Sequence, residues 1–303
     1  MPASRSQGYT AQEFHGVGTA MVTPFRRDGA LDLRALNEFI EFQIAGGVDF
    51  LVPLGTTGES VTMTSDEQIQ VMEATLKGAR GKVPVLVGCG GNDTRAVIEK
   101  GKHLKEHGAT HILSVSPYYN KPTQEGIAAH FRAIRRETGL EIVLYSVQGR
   151  TGSNVLPETI ARLVEDGTIF GVKEASGNML QIQKVCMLVG GRCQVLSGDD
   201  AITLPLMACG GAGVISVASN VIPRAMHDWM HALEAKDYPR GIQMLNDLLP
   251  LFDALFVESN PIPVKGAASL LGLMEANYRL PMVAPAEKTI HLLQDMLAPF
   301  RKR

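Results

Sequence analysis

A lysine interrupts an apolar run in Ile169-Phe170-Gly171-Val172-Lys173-Glu174, and the chain then breaks into Ser176-Gly177-Asn178, a turn that opens a helix. This pattern puts Lys173 at the carboxyl end of a buried strand. An ammonium there is costly to desolvate. It pairs with a carboxylate such as Glu174, reaches water along its stem, or loses its proton and becomes a nucleophilic amine. Only the third outcome makes chemistry: the amine attacks a carbonyl carbon while nearby hydroxyls carry protons. Hydroxyl-bearing residues stand at the ends of other apolar runs. Thr56 and Thr57 follow residues 50–54, Tyr118 and Tyr119 follow 111–115, and Tyr145 closes 142–145. Gly198 follows 194–197, and Arg150 lies in the loop after Tyr145. Singly, each has an ordinary reading, since Thr and Gly are common in turns, Tyr suits strand ends, and loop arginines usually face water. Gathered around one axis, they would ring a single amine with proton carriers and an anion-binding fork.

The elements needed to gather them are legible as a repeating unit. Apolar runs at 17–22, 50–54, 83–87, 111–115, 142–145, 169–173, 194–197 and 213–217 alternate with segments of helical periodicity. Those segments start near Asp32, at the capping box Thr64-Ser65-Asp66-Glu67, at Asp93, at Thr123 or Gln124, at Pro157, at Met179, near Asp200 and at Arg224. Eight strand–helix units imply an all-parallel sheet closed into a (β/α)8 TIM barrel of the α/β class. The rival, a doubly wound open sheet, predicts a glycine-rich phosphate loop after the first strand, where Val22-Thr23-Pro24-Phe25 stands instead. In a barrel, the strand ends that carry the polar residues form one face. Past residue 221 strand signals stop, and helices are expected over 238–255, 263–271 and 286–297. The expected division is a flexible leader at 1–14, the barrel at 15–234, and a C-terminal helical extension at 235–303 packed on the barrel.

Bulk properties exclude several partners. A net charge of −2 over 303 residues gives no footprint for nucleic acid or an anionic membrane, and Arg301-Lys302-Arg303 reads as a solvated tail. No apolar run reaches membrane-spanning length, and the polar first 13 residues lack the apolar middle of a signal peptide, so a cytoplasmic location is expected. The 4 cysteines (Cys89, Cys186, Cys193, Cys209) lack zinc-type spacing and read as reduced and mostly buried. His227 and His231 have the i, i+4 spacing of a zinc helix but not the glutamate after the first histidine, and read as helix surface or packing. No metal and no cofactor is expected; there is no nucleotide-phosphate or flavin signature.

Several motifs carry a family resemblance in family order. Gly55-Thr56-Thr57-Gly58-Glu59, Pro117-Tyr118-Tyr119-Asn120-Lys121-Pro122, Tyr145 with Arg150-Thr151-Gly152, Gly171-Val172-Lys173-Glu174-Ala175-Ser176-Gly177-Asn178 and Ser197-Gly198-Asp199-Asp200 resemble the dihydrodipicolinate synthase family of class I pyruvate-dependent aldolases. The resemblance runs from about residue 15 to the C-terminus. It implies that Lys173 forms a Schiff base with pyruvate and that Thr56 and Thr57 hold the pyruvate carboxylate. It further implies a proton relay of Tyr145, Thr56 and Tyr119, the last reaching a neighbouring subunit's site. Gly198 and Ile215 match backbone positions near pyruvate, and Arg150 matches the residue that binds the carboxylate of aspartate semialdehyde. Implied with these are small-molecule substrates, pyruvate and an aldehyde, and a homo-oligomer, by resemblance a tetramer. The chain departs from the family at Tyr145-Ser146-Val147-Gln148, which lacks a proline that would fix the backbone before Arg150. A sibling lyase for N-acetylneuraminate or a keto-deoxy sugar acid is the alternative activity, and a non-catalytic ligand-binding barrel is the alternative of another class. Many relatives are inhibited by lysine in an inter-subunit cleft. This chain keeps Tyr118, Asn92 and Ser60 of that cleft but has Ser65 and Gln68 for its histidines and Ala96 for its glutamate, so weak or absent lysine inhibition is expected.

Overall fold

The computed structural model describes residues 13–300. The tail Arg301-Lys302-Arg303 and all of the expected leader except Glu13 and Phe14 lie outside the described residues. Phe14, placed in the leader from sequence, is fully buried: its ring meets Phe50 edge-on at 5.6 Å and lies 4.7 Å from His111 and 5.5 Å from Phe170. It seals the amino end of the strands, where a hole would otherwise leave those rings wet.

Eight parallel strands form the sheet, β1 (Gly16–Ala20), β2 (Phe50–Val52), β3 (Val87–Gly88), β4 (His111–Val115), β5 (Glu141–Ser146), β6 (Gly171–Glu174), β7 (Gln194–Ser197) and β8 (Gly213–Ser216). β1 pairs with both β2 and β8, and neighbours continue in sequence from β8 back to β3. The ring closes between β2 and β3 through a parallel bridge of Leu51 with Val85, with Leu51 N–H donating to Pro84 O and Gly88 N–H to Pro53 O. The expected strand at 83–87 is thereby shortened and displaced to Val87–Gly88. Pro84 and Pro53 lack the N–H groups that a regular ladder needs there.

Alternation sorts the strand residues into two cores. Ala20, Phe50, Val52, Leu86, Leu113, Val143, Leu196 and Ile215 fill the barrel interior with Phe14. Val17, Leu51, Val87, Ile112, Ile142, Leu144, Val172, Val195 and Val214 face outward onto the helices. Those helices are α1 (Leu33–Ala45), α2 (Ser65–Ala79), α3 (Thr94–Glu106), α4 (Gln124–Thr138), a single turn α5 (Gln148–Thr151), α6 (Pro157–Glu165), α7 (Met179–Val189), α8 (Thr203–Ala208) and α9 (Pro223–Glu234). Several start at capping residues: both halves of the Thr64/Glu67 capping box form, and the Asp93 and Asn178 side chains accept first-turn N–H groups, whereas α6 and α9 open on a proline instead. The C-terminal helices α10 (Tyr238–Ala254), α11 (Ile262–Leu270) and α12 (Glu287–Leu297) pack on one another, α10 against α9 and α11 against the 3-10 turn Ala218–Asn220. Cys89, Cys186 and Cys193 are buried as free thiols, and Cys209 is partly exposed. The His227 and His231 rings stack at 5.8 Å on α9.

Candidate active site

Register brings the amine and a phenol together. Tyr145 on β5 is paired with Lys173 on β6, so both side chains point into the mouth of the barrel, and Lys173 Nζ lies 4.4 Å from the centre of the Tyr145 ring. Glu174, one residue on, points to the other face by the period of two. There its carboxylate accepts hydrogen bonds from Gln181 Nε2 at 2.9 Å and Ser176 N–H at 3.2 Å. Pairing of Lys173 with Glu174 is therefore excluded. Lys173 is 6 % exposed and joins no ion pair among the described residues. Burial lowers its ammonium to about 8; buried Asp200 opposes that shift and Arg150 adds to it. Burial likewise pushes the Tyr145 phenol up to about 12. A neutral amine beside a protonated phenol is the pairing that carbonyl addition needs, one group to attack and the other to donate.

Around them lies a cavity of about 520 Å³ whose wall includes Thr56, Thr57, Arg150 and Gly198. Gly198 sits against the amine: a Cβ there would stand 2.5 Å from Ala175 Cβ and 3.2 Å from Lys173 Cε, so any side chain would push the lysine aside. Arg150 belongs to α5, a helical turn where a plain loop is expected from sequence. Without the family proline, the backbone is held by Arg150 N–H donating to Val147 O at 3.0 Å and by Thr151 Oγ1 donating to Ser153 O at 2.8 Å. Gly152 then ends the turn at φ 73°, a left-handed conformation suited to glycine.

Two expected residues are not part of this wall. Ile215 is 1 % exposed and packs in the apolar interior with Ala20, Val52 and Leu113, which line the cavity, without lining it itself. Tyr119 is 89 % exposed and points away; its backbone takes φ 71°, and its N–H donates to Thr151 O at 3.2 Å. Tyr118, its neighbour, does line the cavity.

The C-terminal helices supply residues that the sequence reading did not assign to the site. Asn260 and Pro261 before α11, Phe256, and Met282 line the cavity. Asn260 Nδ2 donates to Thr57 Oγ1 at 2.9 Å, leaving the Thr57 proton free to point elsewhere. Lys265 of α11 is fully buried, and its Nζ donates to Glu59 Oε1 at 2.6 Å while lying 4.1 Å from the Phe25 ring centre. Glu59 closes the Gly55–Glu59 motif in a left-handed conformation, φ 53°, so a distant helix anchors the Thr56–Thr57 loop. The proline-rich run Ser259-Asn260-Pro261-Ile262-Pro263 was the available signal, but it reads equally as a helix start.

A parallel eight-stranded barrel holding one desolvated lysine at its carboxyl mouth, with a phenol and two threonines beside it, defines the class of lysine-dependent aldolases. The chain belongs to the dihydrodipicolinate synthetase family, whose pattern matches residues 13–298. It is 45% identical over 287 residues to the 4-hydroxy-tetrahydrodipicolinate synthase of Nitratidesulfovibrio vulgaris strain DP4, covering 94% of this chain and 98% of the relative. The dihydrodipicolinate synthase structure of Thermotoga maritima superposes with a TM-score of 0.93 at 44% identity, covering 95% of this chain and 98% of that one. A structure described as the first monomeric dihydrodipicolinate synthase variant superposes at 0.92 with 44% identity, covering 95% and 97%.

Proposed function

We infer that this protein is a lyase that condenses pyruvate with L-aspartate 4-semialdehyde to give 4-hydroxy-tetrahydrodipicolinate, a step of lysine and diaminopimelate biosynthesis. The observation that carries it is Lys173, held unpaired and desolvated in the cavity beside Tyr145. Its neutral Nζ attacks C2 of pyruvate, and the C2–O π electrons move to oxygen, which takes a proton from the Tyr145 relay. Loss of that hydroxyl as water leaves an iminium on Lys173. Removal of a C3 proton then gives an enamine, with the iminium as electron sink. C3 attacks the aldehyde carbon of the second substrate, and the aldehyde oxygen takes a proton. The substrate's own amine next adds to C2 and displaces Lys173, closing a six-membered ring and freeing the enzyme.

Thr57 and Thr56 bind the pyruvate carboxylate, with Asn260 holding the Thr57 hydroxyl in place. Gly198 leaves room for the adduct, and Ile215 supports the floor below it. Arg150 binds the carboxylate of the semialdehyde through its guanidinium fork, which fixes the aldehyde end relative to the enamine. Tyr145, Thr56 and Tyr119 pass protons, Tyr119 serving the site of a second copy. Exposed Val61, Tyr118 and Tyr119 near the mouth support burial against such a copy, and a two-fold interface would place the two tyrosines reciprocally. We assign a homo-oligomer, a tetramer by family resemblance. The barrel (15–234) and extension (235–303) act as one folding unit, since Asn260 and Lys265 reach across the boundary. Among the described residues no helix is long and apolar enough to cross a membrane, and a cytoplasmic location accords with a pathway of small polar metabolites.

Borohydride reduction with pyruvate, followed by intact-mass and peptide mapping, tests the chemistry. The expected result is one reduced pyruvyl adduct per chain, on Lys173. Turnover with L-aspartate 4-semialdehyde, compared with N-acetylmannosamine and sugar aldehydes, tests the second substrate. No adduct, or greater turnover with a sugar aldehyde, would overturn the reading.

A further inference from the structure

The helical turn that carries Arg150 is anchored through the main chain at its start. Val147 continues directly from β5, and its carbonyl accepts from Arg150 N–H and Thr151 N–H, both at 3.0 Å. A further main-chain bond, from Tyr119 N–H to Thr151 O, runs to the exposed loop after β4 and not to β6. Past Gly152 the chain reaches α6 through Ser153, Asn154 and Val155, whose N–H groups donate to no main-chain acceptor among the described residues. Side chains fix this stretch instead. Asn154 and Gln181 of α7 form a reciprocal amide pair, with Asn154 Nδ2 donating to Gln181 Oε1 at 2.7 Å and Gln181 Nε2 donating back to Asn154 Oδ1 at 3.1 Å. The second N–H of that Nε2 donates to Glu174 Oε1 at 2.9 Å. On the other side Gln124 Nε2 of α4 donates to Asn154 O at 2.8 Å. Glu174 is 1 % exposed and directly follows Lys173 on β6, so one amide ties the strand of the amine to the segment that ends the Arg150 turn. Asn154, Gln181 and Glu174 all stand outside the cavity wall.

We propose that Asn154 and Gln181 are positioning residues for the second substrate: they set where Arg150 stands relative to Lys173 without touching either substrate. This rests on the reading that Arg150 binds the semialdehyde carboxylate. The semialdehyde is then held at one end by Arg150 and attacked at the other by the enamine on Lys173, so its binding needs a fixed spacing between the α5 turn and β6. The arginine side chain is long and exposed, and that spacing has to come from the backbone beneath it. With no proline between Tyr145 and Arg150 to stiffen the first half of the turn, its hold depends on the second half, where the amide pair sits. All three hydrogen-bonding groups of the Gln181 amide, its two N–H bonds and its oxygen, are spent on Glu174 and Asn154, which leaves it one orientation. Pyruvate is served from β2 by Thr56 and Thr57, on a loop that neither residue contacts.

Steady-state kinetics of the full-length enzyme carrying Asn154→Ala, Gln181→Leu, Arg150→Ala, or Asn154→Ala together with Arg150→Ala test this. In Asn154→Ala the Glu174 carboxylate keeps both Gln181 Nε2 and Ser176 N–H, and the site is half-buried, so Tm should change little. Its KM for L-aspartate 4-semialdehyde should nevertheless rise roughly tenfold, with the pyruvate KM and the yield of reduced pyruvyl adduct within about twofold of wild type. Gln181→Leu should show the same split together with a lower Tm, because it leaves Glu174 Oε1 buried without a donor. The double variant should match Arg150→Ala alone in semialdehyde KM, since Asn154 acts only through Arg150. An unchanged semialdehyde KM in Asn154→Ala and Gln181→Leu, equal changes for both substrates, or a double variant worse than Arg150→Ala by the full Asn154→Ala factor would each overturn the proposal while leaving the role of Arg150 intact. Arg150→Ala with an unchanged semialdehyde KM would instead overturn the reading of Arg150, and the proposal with it. Absence of any adduct in wild type would overturn the aldolase reading itself.

Discussion

At the scale of single residues, Lys173 and Glu174 are consecutive in sequence, and the strand turns them to opposite faces. One becomes an isolated amine in a cavity and the other a hydrogen-bonded brace for Gln181 and Ser176. Lys173→Ala should abolish the reduced pyruvyl adduct, and peptide mapping that finds the adduct elsewhere would reassign the nucleophile. The pH dependence follows from an ammonium lowered to about 8. At pH 7 roughly a tenth of the amine is neutral, against less than a thousandth at an ordinary lysine value. The rate of adduct formation should therefore rise between pH 6 and 8 and level off above that, as read by stopped-flow trapping. The same shift fixes a sign for stability. Between about 8 and the unfolded value near 10.5 the unfolded chain holds a proton that the folded chain has lost, so burial of this lysine destabilises the fold below that window and ceases to do so above it. Lys173→Met should raise Tm at pH 7, with the gain vanishing by about pH 11. Arg150→Ala should raise the KM for the semialdehyde by roughly tenfold or more while leaving that for pyruvate within about twofold, reflecting a lost charge-assisted pair. Equal changes in both would place Arg150 on pyruvate instead.

Elements matter here mainly through what they hold still. The Thr56–Thr57 loop is anchored by a helix some 200 residues later, with the Lys265–Glu59 pair completely buried and Asn260 bonded to Thr57. A buried pair of this kind contributes little net stability, but removing one partner strands the other charge. Lys265→Met alone should cost about 3–5 kcal/mol in urea denaturation, and adding Glu59→Gln should recover a large part of that. A double variant no more stable than the single one would show that Glu59 is not the stranded charge. The start of α2 is coupled to the same extension, because Glu67 closes the Thr64 capping box and also receives Arg279 Nη1 at 2.8 Å. Arg279 holds the Glu67 carboxyl down at about 2. Thr64→Ala should cost on the order of 1 kcal/mol, the usual price of a lost cap.

For the molecule as a whole, the single chain leaves its proposed relay one hydroxyl short, because Tyr119 stands outside its own cavity. Sedimentation at assay concentration should show a dimer or larger species. Tyr119→Phe should lower kcat several-fold with pyruvate KM little changed, as expected for a lost proton carrier. A fully active monomer would contradict this. The mouth also predicts its regulation. An effector ammonium placed near Ala96 lacks the family's glutamate, and the neighbouring Asp93 carboxylate is engaged in capping α3, so the missing charge-assisted bond weakens binding by about tenfold to a hundredfold. L-lysine should therefore inhibit weakly or not at all in steady-state assays. Submillimolar inhibition that is lost in Tyr118→Ala would show that the cleft binds lysine despite Ala96.

The sequence alone was enough for the eight-fold strand–helix repeat, the caps that open α1 to α4, and the strand-end positions of Lys173, Tyr145, Thr57 and Gly198. These are local properties: side-chain period, capping chemistry and turn residues act within a few positions of one another. Only the tertiary structure could settle which carboxylate, if any, met the lysine, that Arg150 rides on a helical turn, and that Ile215 packs in the interior without lining the cavity. It also brought Asn260 and Lys265 to a loop at residues 55–59. Such contacts join residues far apart in the chain, and their energetics depend on how much water is excluded once the barrel has closed. Neither pairing nor desolvation leaves a trace in residue spacing.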